Sequence, residues 1–195
     1  RPRRRHRLSP PRHAPAPRRL MPRLADTPTL ETERLILRAP GPQDWPASAA
    51  FLASGRARFV GGPADEGQAW RIFGHVVGHW VLRGFGLFVF CDKAGDRALG
   101  TAGPWFPANL PEREIGWTLW HAEDEGQGYA LEAAQAARAH AYGALGWQTA
   151  VSYIDPANAR SIALAERLGA VRDDDAARVD ADDIVYRHPA PAEAA

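Results

Sequence analysis

The sequence predicts an α/β (α+β) fold in which a mixed sheet carries helices on both faces. Three observations predict it. Strands dominate the stretch after two early helices, and a strand–helix–strand–helix order follows. The segment at 114–120 alternates in the way of a half-buried strand. The helix after it shows a face of small residues that can pack close to a sheet. The expected content is about six or seven strands and about four helices in one domain.

Each element has its reason. Leu30–Leu37 reads as a first strand with Leu35 and Leu37 on one face, and Pro40, Gly41 and Pro42 end it. Asp44 can cap a short helix through Leu52. Gly61, Gly62 and Pro63 mark a loop. Asp65 or Glu66 opens a longer helix whose predicted buried stripe is Trp70, Phe73, Val77 and Val81, and Gly84 closes it. Leu87–Cys91 and Leu99–Trp105 are strands joined by a turn at Ala94, Gly95 and Asp96. In 112–120, Ile115, Trp117 and Leu119 share one face, while Glu114, Gly116, Thr118 and Trp120 share the other. A helix runs from Gly128 to about Leu145, with Ala130, Ala134, Ala137, Ala141 and Leu145 on its small face. Thr149–Ile154 is a strand, Ala159–Leu168 a helix stopped by Gly169, and Ile184–Arg187 a closing strand.

The 195 residues suit a single domain, and 45% hydrophobic residues with seven Trp support a real core. The net charge of +1 hides an asymmetry. Residues 1–20 hold eight Arg, five Pro and no acid. The remainder has 16 basic against 23 acidic residues, a balance of −7. The folded part therefore favours cationic or amine-bearing ligands over nucleic acid. Residues 1–27 are expected to be a disordered basic extension, 28–189 the domain, and 190–195 a flexible tail. Met21 is the only methionine and a candidate start. Cys91 is the only cysteine, so an intrachain disulfide is excluded, and it is expected to be a buried small hydrophobe. No run approaches the roughly 20 apolar residues of a membrane helix. A cytoplasmic protein is expected, with a homodimer allowed.

The chemistry lies in Trp117–Glu132, where a strand enters a glycine turn that opens a helix. Gly126 and Gly128 permit positive φ and a close backbone approach to a ligand. The first helical turn leaves N–H groups without internal partners, which suits phosphate oxygens. No Gly-Lys-Ser/Thr follows, so this is not a Walker loop. Leu131 stands where a dinucleotide fingerprint needs Gly or Ala.

EIGWTLWHAEDEGQGYALEA resembles the coenzyme-A loop of the GNAT superfamily of N-acetyltransferases, nearest to the branch of the ribosomal-protein N-terminal acetyltransferases. TERLILR from Thr32, LGT from Leu99 and DPANARSIALAERLG from Asp155 resemble its opening strand, third strand and second coenzyme segment. The resemblance implies a bulge in Glu114–Trp120 and a V between the fourth and fifth strands, in which the pantetheine arm of acetyl-CoA lies. It assigns Thr118, Leu119 and Trp120 to that arm. It gives Gln127, Gly128, Tyr129 and Ala130 to the pyrophosphate, and Asn158 and Ser161 to further coenzyme contacts. Asn158 also reads as a helix cap.

The resemblance implies acetyl transfer from acetyl-CoA to an amine acceptor, a protein N-terminus or a small molecule. An α-amine fits slightly better than Lys, because its pKa of about 8 leaves more of it unprotonated. Glu114 is the candidate general base, with an ordinary strand carboxylate as its plain alternative. The Leu119 N–H is a candidate to polarise the carbonyl, and Ser161 to protonate the leaving thiolate. Trp105 and Trp120 are candidate walls of an acceptor pocket, and His121 a candidate liner. Three departures stand out. Glu125 replaces the usual Gln or Arg before the turn, with Glu123 and Asp124 beside it and no evident Lys or Arg for a 3′-phosphate. Ala165 occupies the position of a frequent Tyr acid, and Gly169-Ala170 replaces Gly-Phe. A coenzyme-binding sensor without catalysis is the alternative reading. A third is a nucleic-acid module working through the arginine arm. His75 and His79 share a helical spacing but lack a third ligand, so no metal is expected. The acids Asp173, Asp174, Asp175, Asp180, Asp182 and Asp183 read as a solvated hairpin face, with attraction of a cationic acceptor as the alternative.

Overall fold

The computed structural model describes residues 24–191 apart from Asp96, so the basic arm through position 23 and residues 192–195 lie outside the described residues. Eight strands form one sheet in the order β1-β2-β3-β4-β5-β6-β8-β7. They are β1 (Leu30–Glu31), β2 (Leu35–Arg38), β3 (Phe88–Asp92), β4 (Ala98–Trp105), β5 (Glu114–Leu119), β6 (Val151–Ile154), β7 (Val171–Arg172) and β8 (Ile184–Arg187). The helices are α1 (Trp45–Leu52), α2 (Glu66–Arg83), α3 (Tyr129–Gly143) and α4 (Ala159–Arg167). Among the described residues only the β5–β6 pair is parallel.

The first strand divides. The Thr32 Oγ1 accepts the Leu35 N–H at 3.0 Å, and the Thr32 N–H donates to the Leu35 carbonyl at 3.0 Å. This local side-chain turn folds Leu30–Leu37 into the β1–β2 hairpin. Leu35 and Leu37 still share the buried face. Leu24, placed in the extension by composition, packs against the core beside them. Asp44 begins α1 but does not cap it with its side chain. Its carboxylate accepts two bonds from Arg38, each at 2.8 Å, and the Gly41 N–H at 2.8 Å.

α2 opens on Asp65, whose carboxylate accepts the Gln68 N–H at 2.7 Å in a capping box, and closes on Gly84 at φ 76°. Its buried face matches the predicted stripe at Phe73 and partly at Val77, but not at its ends. Ala69, Phe73, His79 and Trp80 are buried, whereas Trp70 and Val81 are 60% and 69% exposed. The helix is turned by about one residue relative to the apolar stripe. The turn lets the Trp80 indole N–H donate to the Leu87 carbonyl at 3.0 Å. Trp70 meets Trp45 edge-on at 4.9 Å instead. On α3, Ala133, Ala134, Ala137 and Ala141 are fully buried, while Ala130 and Leu145 are partly so. β7 is two residues long and exposed, too short to leave a pattern in the sequence.

β3 and β4 are buried on both faces. Phe88, Phe90 and Leu99 join the cluster under α3, and Val89 and Cys91 pack on the opposite side with Phe51, Leu52 and Trp120. β4 and β5 pair without a break from Gly100↔Leu119 to Trp105↔Glu114. The bulge expected in β5 is therefore absent there. The register shift lies one strand away, between β3 and β4 at Phe90 and Cys91. The V forms without a β5 bulge, because β5 and β6 share only the pair Glu114↔Val151 and then diverge.

A buried polar chain holds the vertex. Arg138 donates to the Leu168 carbonyl at 2.6 Å and to His188 Nδ1 at 3.3 Å. Arg has only donors, so Nδ1 accepts and the proton is assigned to Nε2, which donates to Ser152 Oγ at 3.0 Å. Ser152 Oγ donates to the Ile115 carbonyl at 2.6 Å, replacing the ladder bond lost where the strands part. Burial, with Arg138 beside it, pushes the His188 imidazole down to about 3, so it stays neutral.

Close approach also explains Gly100. A Cβ there would overlap the Thr118 carbonyl oxygen and lie 2.8 Å from Phe90 Cζ. Gly100→Ala is expected to cost about 3 kcal/mol or more by overpacking, read by denaturant unfolding.

Candidate active site

Two clefts open from the V and share Trp117, Thr118, Asn158 and Ser161 as lining. The first, about 1020 Å³, runs to the glycine turn. Gly126 and Gly128 stand at φ 75° and 82°, a left-handed conformation that suits glycine. Gly128 is the N-cap of α3, so the N–H groups of Tyr129, Ala130 and Leu131 have no carbonyl within the helix to bond. The dipole of this 15-residue helix adds partial positive charge at the same end.

The acids of the turn are paired. Glu125 accepts from Arg56 at 2.6 Å and from Arg160. Asp124 is nearly buried and holds Arg97 through two bonds at 2.6 and 2.9 Å. Arg56, Arg58, Arg160 and Arg167 all line the first cleft. Arg56 also donates to the Leu119 carbonyl at 3.1 Å, and its buried Nε has no hydrogen-bond partner among the described residues. Sequence reasoning missed these arginines because none lies in the turn. Arg160, two residues after Asn158, was the one local signal.

The turn is tied down from behind. Arg34 donates to Glu132 at 2.7 Å and to the Gln127 carbonyl at 2.9 Å, and its guanidinium covers the Tyr129 ring at 4.6 Å. Thr32 Oγ1 donates to Glu132 at 2.5 Å. Burial opposes ionisation of Glu132, yet the bonds from Thr32 and Arg34 outweigh it and hold the carboxyl below its ordinary value.

The structure brings most of the predicted positions together. Gly128, Tyr129, Ala130, Thr118, Leu119, Asn158 and Ser161 line the first cleft. Gln127 is exposed and lies off it. Trp120 is 5% exposed, and its N–H is spent on the Leu99 carbonyl at 2.8 Å. Antiparallel alternation then turns the backbone of Thr118 towards β4 and that of Trp117 and Leu119 into the V. Thr118 Oγ1 meets Thr101 Oγ1 at 2.8 Å. Asn158 Oδ1 accepts the Ser161 N–H at 3.3 Å, so it caps α4 and lines the cleft at once. Ser161 Oγ accepts the Trp117 indole N–H at 3.3 Å, which leaves its own proton available to donate.

The second cleft, about 480 Å³, holds Glu114, Tyr153, Trp105 and Trp120 in its lining. Glu114 sits at the vertex with protein packed around its carboxyl. Burial pushes it up to about 8, the Tyr153 N–H works against that, and Asp183 adds to it. Tyr153 is the tyrosine on this cleft, and its hydroxyl accepts the Glu112 N–H at 3.3 Å. Ala165 is fully buried in the core. His121 bonds the Ala98 carbonyl at 3.3 Å and lines neither cleft. His79 uses both ring nitrogens on the backbone of Phe85 and Phe106. In the acidic hairpin, Asp173 accepts from Arg187 and Asp174 from Arg172. Among the described residues no helix is long and apolar enough to cross a membrane.

Residues 34–171 match the acetyltransferase (GNAT) domain. The structure is similar to an acetyltransferase from Agrobacterium tumefaciens at 39% identity and TM-score 0.80, covering 87% of this chain and 99% of that one. It shares its fold with a GNAT-family acetyltransferase from Bacillus anthracis at 19% identity and TM-score 0.67, over 82% and 96% of the two chains. It also shares it with the ribosomal-protein-S5-alanine acetyltransferase from Vibrio fischeri at 19% identity and TM-score 0.63, over 82% and 94%. The chain belongs to the GNAT acetyltransferase family and is an acetyl-CoA-dependent acyltransferase.

Proposed function

We propose that the enzyme transfers the acetyl group of acetyl-CoA to a primary amine by direct attack in a ternary complex. The observation that carries this is the seam where the two clefts meet, with Ser161 on it and Glu114 beside it. Acetyl-CoA supplies the acetyl group as an activated thioester. The first cleft fits its anionic end, since unpaired helix N–H groups and four arginines face it. The backbone of Trp117 and Leu119 fits its amide-bearing arm, with Leu119 N–H placed to polarise the thioester carbonyl. Glu114, when ionised, accepts the proton that the amine nitrogen gives up as it attacks, and Ser161 Oγ–H donates to the departing sulfur. Thr118, Tyr129, Ala130 and Asn158 complete the coenzyme wall in this reading. Gln127 and Trp120 contribute through the shape of the turn and the strand.

Ala165 favours one second reading, a coenzyme-binding sensor without catalysis. Millimolar acetyl-CoA is expected to raise Tm by several degrees, and a panel of primary amines is expected to release CoA. A rise in Tm with no CoA release from any amine leaves the sensor. No rise with a folded sample sinks both readings.

A further inference from the structure

The two clefts differ sharply in charge. Four arginines line the first, whereas no Lys or Arg lines the second. Among the described residues, the ionisable side chains that line the second are His75, Glu114 and Asp155. Its remaining wall is largely apolar, with Phe51, Ile72, Phe73, Trp105, Leu110 and Trp117 prominent. A carboxylate or phosphate on an acceptor would find no Lys or Arg to pair with there, and would face the Asp155 carboxyl instead.

The wall is also fixed in shape. His79 is 2% exposed and stacks on Trp105 with ring centroids 4.3 Å apart and planes 22° from parallel. His79 Nδ1 donates to the Phe85 carbonyl at 2.7 Å, and Nε2 accepts the Phe106 N–H at 3.0 Å. His75, which also lines the cleft, lies against Trp105 at 4.9 Å. Burial holds the His79 imidazole below its ordinary pKa, consistent with a neutral ring using both nitrogens. Trp105 is thus a wall that an acceptor meets rather than one that yields.

We infer that the acceptor is a small primary amine with an apolar, ring-sized body and no carboxylate or phosphate, and that Trp105, positioned by His79, sets this specificity. The inference rests on the acetyl-transfer reading above. Tryptamine, tryptophanamide and tryptophan share one ring and differ in the acid, so they isolate the charge; spermidine and a short peptide N-terminus test the polarity and size of the body. With saturating acetyl-CoA, kcat/KM for tryptamine and tryptophanamide is expected to exceed that for tryptophan by about 100-fold or more. Trp105→Ala is expected to lower kcat/KM for tryptamine by about tenfold through KM, with acetyl-CoA affinity unchanged. Tryptophan within about threefold of tryptamine overturns the inference, as does faster turnover of spermidine or the peptide. If no amine turns over, titration of tryptamine into the CoA-saturated protein decides. Absence of binding overturns the inference, while a Tm rise with acetyl-CoA leaves the coenzyme assignment standing. Binding of tryptamine without tryptophan supports the inference.

Discussion

Glu114→Gln is expected to lower kcat/KM by about 10²–10⁴-fold, the usual range for a lost general base, and to remove one limb of the pH profile. The Glu114 carboxyl is pushed up from 4.5 to about 8, chiefly by burial. The carboxylate that can accept a proton therefore dominates only above about 8. Wild-type kcat/KM should rise with pH through that region and then level. An α-amine titrates there too, so the assay needs an acceptor whose own pKa lies below about 7. With it, the rise belongs to the enzyme and should vanish in the Gln variant. Stability gives an independent sign. A raised carboxyl pKa means that the folded state binds the proton more tightly than the unfolded chain. That contribution is complete below 4.5 and is lost as pH climbs through about 8. Gln has nothing to lose, so the variant should gain on the wild type in Tm at pH 9 relative to pH 4. Unchanged activity and an unchanged profile would remove Glu114 from the mechanism.

Gly128→Val is expected to weaken acetyl-CoA binding by at least about 100-fold, since several charge-assisted bonds depend on this turn. The residue stands at φ 82°, where a β-branched side chain is strained. Its Cβ would also come within 3.4 Å of the Arg34 guanidinium, which braces the turn from behind. The glycine side of the turn is on the surface, so folding should suffer far less than binding. Gln127→Ala should change affinity by less than about threefold, because that side chain points to solvent and only its carbonyl is held. Calorimetric titration of both variants checks the pair. A folded Gly128→Val protein with parental affinity would sink the main-chain phosphate site.

Much of this was legible because it is local. The glycine turn, the Asp65 cap and the Gly84 and Gly169 stops each depend on a few adjacent residues, and periodicity placed β3 through β6 within one or two positions. What was not legible depends on distant partners. Nothing near Glu125 in sequence announces Arg56, 69 residues away, so the acids beside the turn read as a departure without a basic partner. The stripe failed at Trp70 and Val81 because that side of α2 faces outward, where Trp70 meets Trp45 of α1 edge-on. Glu114 read as an ordinary strand carboxylate or a base on equal terms. The burial and the Asp183 charge that raise its carboxyl come from the fold and leave no mark in the sequence, and the Gln variant is what separates the two.

The single Glu114↔Val151 pair has a mechanical meaning. The sheet is two leaves, β1 to β5 and β6 to β8, joined along one edge by a hinge one residue pair long and a bolt made of Ser152, His188 and Arg138. Whatever lies in the gap and bonds both leaves does the work of a missing strand. On the proposed reading the cosubstrate is then a temporary part of the architecture. Each turnover, by converting it and letting it go, would briefly take a girder out of the building.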